Sequence, residues 1–100
     1  MNVNIEQEGN RYKVVLDGRV DTTNAEQFQN DMAPLMEAET PVIDMDCERM
    51  DYTSSQGLRV FLQLQKNVGT HGGQLVLRNM QPRVKEVFDI TGFSNIIKIE

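Results

Sequence analysis

Apolar residues recur along this chain at two periods, every second residue and then every third or fourth, and the switches between them mark out its elements. Val3 and Ile5 alternate with Asn2, Asn4 and Glu6, the pattern of a first strand, and Gly9-Asn10 reads as a turn. Tyr12, Val14 and Leu16 then face one way and Lys13, Val15 and Asp17 the other, which predicts a second strand, a hairpin and a strand end at Gly18. Thr23-Asn24-Ala25-Glu26 has the spacing of a capping box, with the Thr23 hydroxyl taking a first-turn N–H and Glu26 reaching back. Ala25, Phe28, Met32, Leu35 and Met36 follow at helical spacing and predict a helix over 23–37, which Pro34 should kink or push off-axis in its last turn. Pro41 to Asp46 is a short apolar run that suits an interior strand.

A second long helix is predicted from Ser55 to Val68, closed by the glycines of 69–73. Gln74 to Arg78 forms the next strand. Pro82 opens a third helix with Val84, Val87 and Phe88 on its apolar face and Gly92 as a left-handed terminator. Ile96, Ile97 and Ile99 predict a short strand or a docked tail. The order β-β-α-β-α-β-α-β predicts an α/β domain over 1–100. Its opening hairpin is antiparallel, and its strand–helix–strand units are parallel and joined by right-handed crossovers.

The second helix carries an unusually wide apolar face. Leu58, Val60, Phe61, Leu62, Leu64 and Val68 cover roughly 200° of arc, about twice a minimal core-facing stripe. Either the helix is wedged between the sheet and a neighbouring helix, or one edge of the arc is an exposed docking surface. Ahead of it lies Asp51-Tyr52-Thr53-Ser54-Ser55-Gln56-Gly57-Leu58-Arg59, which places two serines where the helix begins. Helix N-termini present unpaired N–H groups and the positive end of the dipole, so a phosphate is favoured there. A serine at this point is a simple cap or the carrier of a switchable charge.

Composition narrows the functional classes. The net charge is −5, from fifteen acids and ten scattered bases, which argues against nucleic acid as the main partner. The apolar runs are too short to span a bilayer, and no basic segment followed by an apolar stretch opens the chain, so neither membrane insertion nor a signal peptide is expected. The single Cys47 excludes an intramolecular disulfide and fits a reducing cytoplasm. No catalytic constellation emerges. His71, the only histidine, sits in a glycine-rich turn and reads as a solvated loop residue. A zinc site would need carboxylates from distant segments. Cys47 reads as a small core residue, and Asp44 and Asp46 as strand-end residues rather than a general acid and base. No phosphate-binding glycine loop is present, so no cofactor is expected.

Taken together, Leu16-Asp17-Gly18-Arg19-Val20-Asp21, Val42-Ile43-Asp44-Met45, Tyr52-Thr53-Ser54-Ser55-Gln56-Gly57-Leu58-Arg59, Gly73-Gln74-Leu75-Val76-Leu77 and Val84 to Phe93 resemble the STAS family, in particular the single-domain bacterial anti-sigma factor antagonists. The resemblance covers essentially the whole chain. It implies the STAS fold, a small mixed sheet with helices packed mainly on one face. It also implies a serine at the start of the second helix that is phosphorylated by the anti-sigma factor, a serine kinase of the GHKL ATPase type. Aligned on Gly57-Leu58, Ser55 takes the acceptor position, Ser54 stands where the pattern has Asp, and Gln56 replaces a smaller residue. Asp21 matches a position close to the phosphorylation loop.

The implied mechanism is partner switching. The unphosphorylated protein binds the anti-sigma factor and frees the sigma factor; phosphate on Ser55 breaks that complex; a PP2C-type phosphatase restores binding. Partner contact is expected at Asp21, Thr22, Thr53, Ser54, Ser55, Gln56, Gly57 and Arg59, on a cytoplasmic protein that is a monomer when free and not itself an enzyme. Two other readings remain. One is a STAS subunit of another assembly, a lipid-transport complex or stress-signalling scaffold without a phospho-switch. The other is a small-molecule or nucleotide-binding module.

Overall fold

The two hydrophobic periods build one sheet and one layer of helices. The computed structural model describes every residue from Met1 to Glu100. Its strands are β1 (Asn2–Glu8), β2 (Arg11–Val20), β3 (Val42–Thr53), β4 (Gln74–Arg78) and β5 (Lys98–Ile99), in the spatial order β1-β2-β3-β4-β5. β1 and β2 form the antiparallel hairpin, and the remaining neighbours are parallel. Between the parallel strands run α1 (Ala25–Glu37), α2 (Ser55–Thr70) and α3 (Pro82–Ile90), and a 3₁₀ turn over Phe93–Asn95 precedes β5. Strand order follows chain order, so crossovers of a single hand place all the helices on the same face.

On that face Val14, Leu16, Ile43, Met45, Leu75 and Leu77 are buried, together with Phe28, Met32, Phe61, Leu64 and Phe88 from the helices. Phe28, Phe61, Phe88 and Phe93 meet edge to face in sequence, with centroids 5.2, 5.5 and 6.4 Å apart, and tie the helices into one core. The opposite face shows Lys13, Arg78 and Gln74 to solvent.

Three expectations need correction. β2 does not stop at Gly18 but runs on to Val20. β3 does not stop at Asp46: it continues for seven more residues to Thr53, to a total of twelve. The register explains this. Val15 and Asp17 of β2 oppose Asp46 and Arg49 of β3, and Gly18 and Arg19 oppose Met50 and Tyr52, so β3 carries two extra residues at bulges. Its buried positions Ile43, Met45, Cys47, Met50 and Thr53 therefore lose the two-residue period half-way along.

The Thr23–Glu26 capping box does not form. The Asp21 carboxylate takes both the Thr23 N–H, at 2.9 Å, and the Thr23 hydroxyl, so the helix starts at Ala25 behind Asn24. Of the two readings of the apolar arc on α2, the buried one holds. Leu58, Val60, Phe61, Leu64 and Val68 are buried and Leu62 is half-buried, as expected of a helix wedged between the sheet and α1. Gly92, at φ +80°, terminates α3 in the left-handed conformation as its position predicts.

Candidate functional site

A single residue, Ser54, joins the end of β3 to the start of α2. Its backbone N–H donates to the Val20 carbonyl at 2.8 Å, which extends the β2–β3 ladder by one step. Its carbonyl accepts the Leu58 N–H at 3.0 Å, and its hydroxyl accepts the Gly57 N–H at 3.3 Å. Ser54 is thus the N-cap of α2, fixed on one side by the sheet and on the other by the helix. It is only 8% exposed.

Ser55, the first helical residue, is exposed, and the one contact of its hydroxyl is a long one, 3.5 Å to the Gln56 side-chain oxygen. The two serines that look equivalent in sequence therefore have different status. One hydroxyl is buried and committed to capping, and the other is open to solvent. No acidic residue occupies the first turn of α2, and Arg59 lies one turn on from Ser55. A negative charge on Ser55 would meet the positive end of the helix and a neighbouring guanidinium.

Thr53, Ser54 and Gly57 are all buried. They set the surface from beneath rather than presenting it. An added Cβ at Gly57 would lie 2.3 Å from the Thr53 hydroxyl oxygen and 2.8 Å from a Val20 methyl. Only a glycine lets the first turn of α2 approach the ends of β2 and β3 this closely.

Asp21 stands in the adjoining β2–α1 loop, with its carboxylate fully engaged. One oxygen takes the Thr23 N–H and hydroxyl, and the other faces Arg19 Nε at 3.2 Å. These bonds, led by the Thr23 hydroxyl, hold its pKa below the ordinary value of 3.8. Asn24 locks the same loop, accepting the Asp21 N–H at 2.8 Å and donating to the Arg19 carbonyl at 2.8 Å. Asp21 therefore shapes the loop that carries the exposed Thr22.

Thr22, Gln56 and Arg59 come together along a groove of about 370 Å³ between α1 and α2. Its other walls are Glu26, Gln29 and Gln63, and its floor is Ala25 and Val60. Glu26, Gln29 and Gln63 were not among the expected site residues. Their signal was the polar side of each helix, and the pairing of those sides across the groove is a tertiary fact. Arg19 and Tyr52, part of the motifs that carry the resemblance, were not expected at the site either. They face each other in the β2–β3 register, with the guanidinium 4.8 Å from the ring centroid.

A larger hollow of about 560 Å³ lies on the open sheet face, lined by Arg11, Val42 and Gln74 among others. These residues begin their parallel strands, whereas Ser55 follows a strand's far end, so this hollow is remote from the site. No group of three or more His, Cys, Asp or Glu side chains converges to hold a metal ion. Burial pushes the Cys47 thiol up to about 12, which leaves it unreactive at neutral pH. No helix is long and apolar enough to cross a membrane.

Comparison with known proteins places this geometry. The model of the STAS domain matches residues 2–100. The chain belongs to the STAS-domain family. Over 84 residues it is 39% identical to BtrV of Bordetella bronchiseptica, covering 84% of this chain and 72% of that protein. It is 36% identical to the anti-sigma-B factor antagonist of Bacillus subtilis, covering 99% of this STAS domain and 90% of the relative. The fold also matches the anti-sigma factor antagonist SpoIIAA in its unphosphorylated form, with a TM-score of 0.81 at 22% identity over 99% of this chain and 88% of the other. The phosphorylated form of SpoIIAA, from Bacillus, matches with a TM-score of 0.74 at 20% identity over 99% and 91%.

Proposed function

We propose that this STAS domain is an anti-sigma factor antagonist whose hold on its partner is switched by phosphate on Ser55. The observation that carries the reading is the division of labour at the start of α2. Ser54 is buried and spends its hydroxyl on the Gly57 N–H, while the Ser55 hydroxyl is exposed and held only at 3.5 Å by Gln56. A phosphoryl donor reaches Ser55 without unwinding the helix. To modify Ser54 it would have to break the cap. The names of the relatives, anti-sigma factor antagonists among them, support the same role.

The unphosphorylated chain binds an anti-sigma factor and so releases a sigma factor. That anti-sigma factor is a serine kinase of the GHKL type, which supplies the ATP. The Ser55 oxygen attacks the γ-phosphorus, a new oxygen–phosphorus bond forms, ADP leaves, and the hydroxyl proton passes to a base of the kinase. The added charge, about −1.5 to −2 at neutral pH, sits at the positive end of α2, where the domain tolerates it and a packed partner surface does not. A PP2C-type phosphatase then hydrolyses the ester, with water as nucleophile and inorganic phosphate as product. The chain is the substrate in both steps rather than the catalyst. A sigma-factor circuit operates in the cytoplasm, and this reading places the chain there.

The test is incubation with the anti-sigma kinase and ATP, followed by mass spectrometry of the peptide that contains Ser54 and Ser55. Phosphate is expected on Ser55 alone. Ser55→Ala should bind the kinase and resist release, and Ser55→Asp should bind far more weakly with an unchanged melting temperature. Phosphate on Ser54, or full binding by Ser55→Asp, would overturn the reading.

A further inference from the structure

Arg59 is an unpaired cation at the mouth of the α1–α2 groove. Arg19, Arg49 and Arg78 are each matched to a carboxylate, whereas Arg11, Arg59 and Arg83 take part in no ion pair or hydrogen bond between side chains, and of these three only Arg59 lines the groove. It is exposed, it lines the groove beside Gln56 and Gln63, and it lies one helical turn from Ser55. Glu26, on the opposite wall, is likewise unpaired. Residues four apart on a helix share a face, so a group on Ser55 and the Arg59 guanidinium are within reach of each other. The groove floor is apolar, formed by Ala25 and Val60. A guanidinium above such a floor, flanked by amides that both donate and accept, suits a carboxylate side chain carried on a polypeptide segment.

Resting on the function proposed above, we infer that the α1–α2 groove seats a carboxylate-bearing segment of the anti-sigma factor with Arg59 as its counter-charge, and that phosphate on Ser55 acts by capturing Arg59. The groove adjoins Ser55 through Gln56, whose side chain both contacts the Ser55 hydroxyl and forms part of the groove wall. Phosphorylation then does two things at once. The phosphate takes the guanidinium in a charge-assisted contact within the helix, and the partner's carboxylate is left unpaired beside a new negative charge. Release follows from exchange of one ion-pair partner for another, with no change of fold.

The experiment compares the full chain with Arg59→Ala, Arg59→Lys and the groove-filling Gln29→Trp, all checked for unchanged melting temperature. Arg59→Ala and Gln29→Trp should weaken binding of the unphosphorylated chain to the anti-sigma factor by about ten-fold or more, and Arg59→Lys should restore part of the loss. In the phosphorylated chain, ³¹P NMR titration should show the second phosphate ionisation at a lower pH in wild type than in Arg59→Ala, because the guanidinium favours the dianion. Wild-type affinity in Arg59→Ala and Gln29→Trp, or superimposable phosphate titrations, would overturn the inference. Wild-type binding by Ser55→Asp would instead overturn the phospho-switch itself, so the two failures are distinguishable.

Discussion

Gly57→Ala tests the claim that the start of α2 is held in place by close backbone approach. The substitution adds one carbon, which would lie 2.3 Å from Thr53 Oγ1, 2.8 Å from Val20 Cγ1 and 3.1 Å from Val20 Cβ. None of these atoms is the free end of a flexible chain. Thr53 and Val20 are β-branched, stiff at χ1, and 6% and 0% exposed. Two effects oppose each other. Alanine is a better helix former than glycine by up to about 1 kcal/mol, less in a first turn. Overpacking a filled site costs about 1–3 kcal/mol. Sterics should win, with a net loss of roughly 1–2 kcal/mol and a fall in melting temperature of about 5–15 °C for a domain of this size.

Thermal unfolding followed by circular dichroism reads this directly. Thr53→Ala removes the nearest obstructing atom, so the double variant should lose at least about 1 kcal/mol less than the sum of the two single changes, the signature of neighbours in contact. A Gly57→Ala protein as stable as wild type, or strict additivity in the double variant, would refute the account of Gly57 as the residue that lets α2 dock.

Two further outcomes follow from the same geometry. Ser54→Ala removes the hydroxyl that caps α2 and should lower stability by about 1 kcal/mol, while Ser55→Ala leaves it within about 0.5 kcal/mol; urea denaturation of the pair measures the difference. The β2–α1 loop should stay ordered as acid is added until the pH falls below 3.8, because the Asp21 pKa is lowered in the folded state. The sign follows from linkage. A depressed carboxylate contributes its full share of stability above the unfolded pKa and loses it as pH falls through the folded one, so protection of the Thr23 amide from hydrogen exchange should persist through the ordinary carboxylate range. In Asp21→Asn that pH dependence should vanish.

Much of this was legible from periodicity. The hairpin, β4, the bounds of α3 and the start of α2 follow from alternation, proline placement and glycine placement. The failures share a cause, a tertiary or short-range contact that competes with the local rule. β3 looked six residues long because its bulges shift the buried set from Cys47 to Met50 and then to Thr53, a three-residue step that mimics neither strand nor helix. Thr23 looked like a cap because its spacing to Glu26 is right, but the Asp21 carboxylate two residues away is a stronger acceptor partner. The wide apolar arc of α2 was ambiguous in principle, since a helix wedged between two layers and a helix with a docking edge have the same sequence pattern. Only the position of α1 decides between them.

The consequence for the site is that its exposed and buried halves cannot move independently. With Ser54 as the whole connection between β3 and α2, the position of Ser55 is set by a strand-type hydrogen bond to Val20 and by the van der Waals seat of Gly57 on Thr53. A loop of several residues would absorb a new charge by rearranging. A one-residue link tied into the core has no such freedom, so the free energy of a phosphate at Ser55 would be expressed outside the domain, in whatever contacts α2 and the α1–α2 groove make with a partner. The rigidity that Gly57 makes possible is therefore what would turn a phosphate on Ser55 into a binding signal.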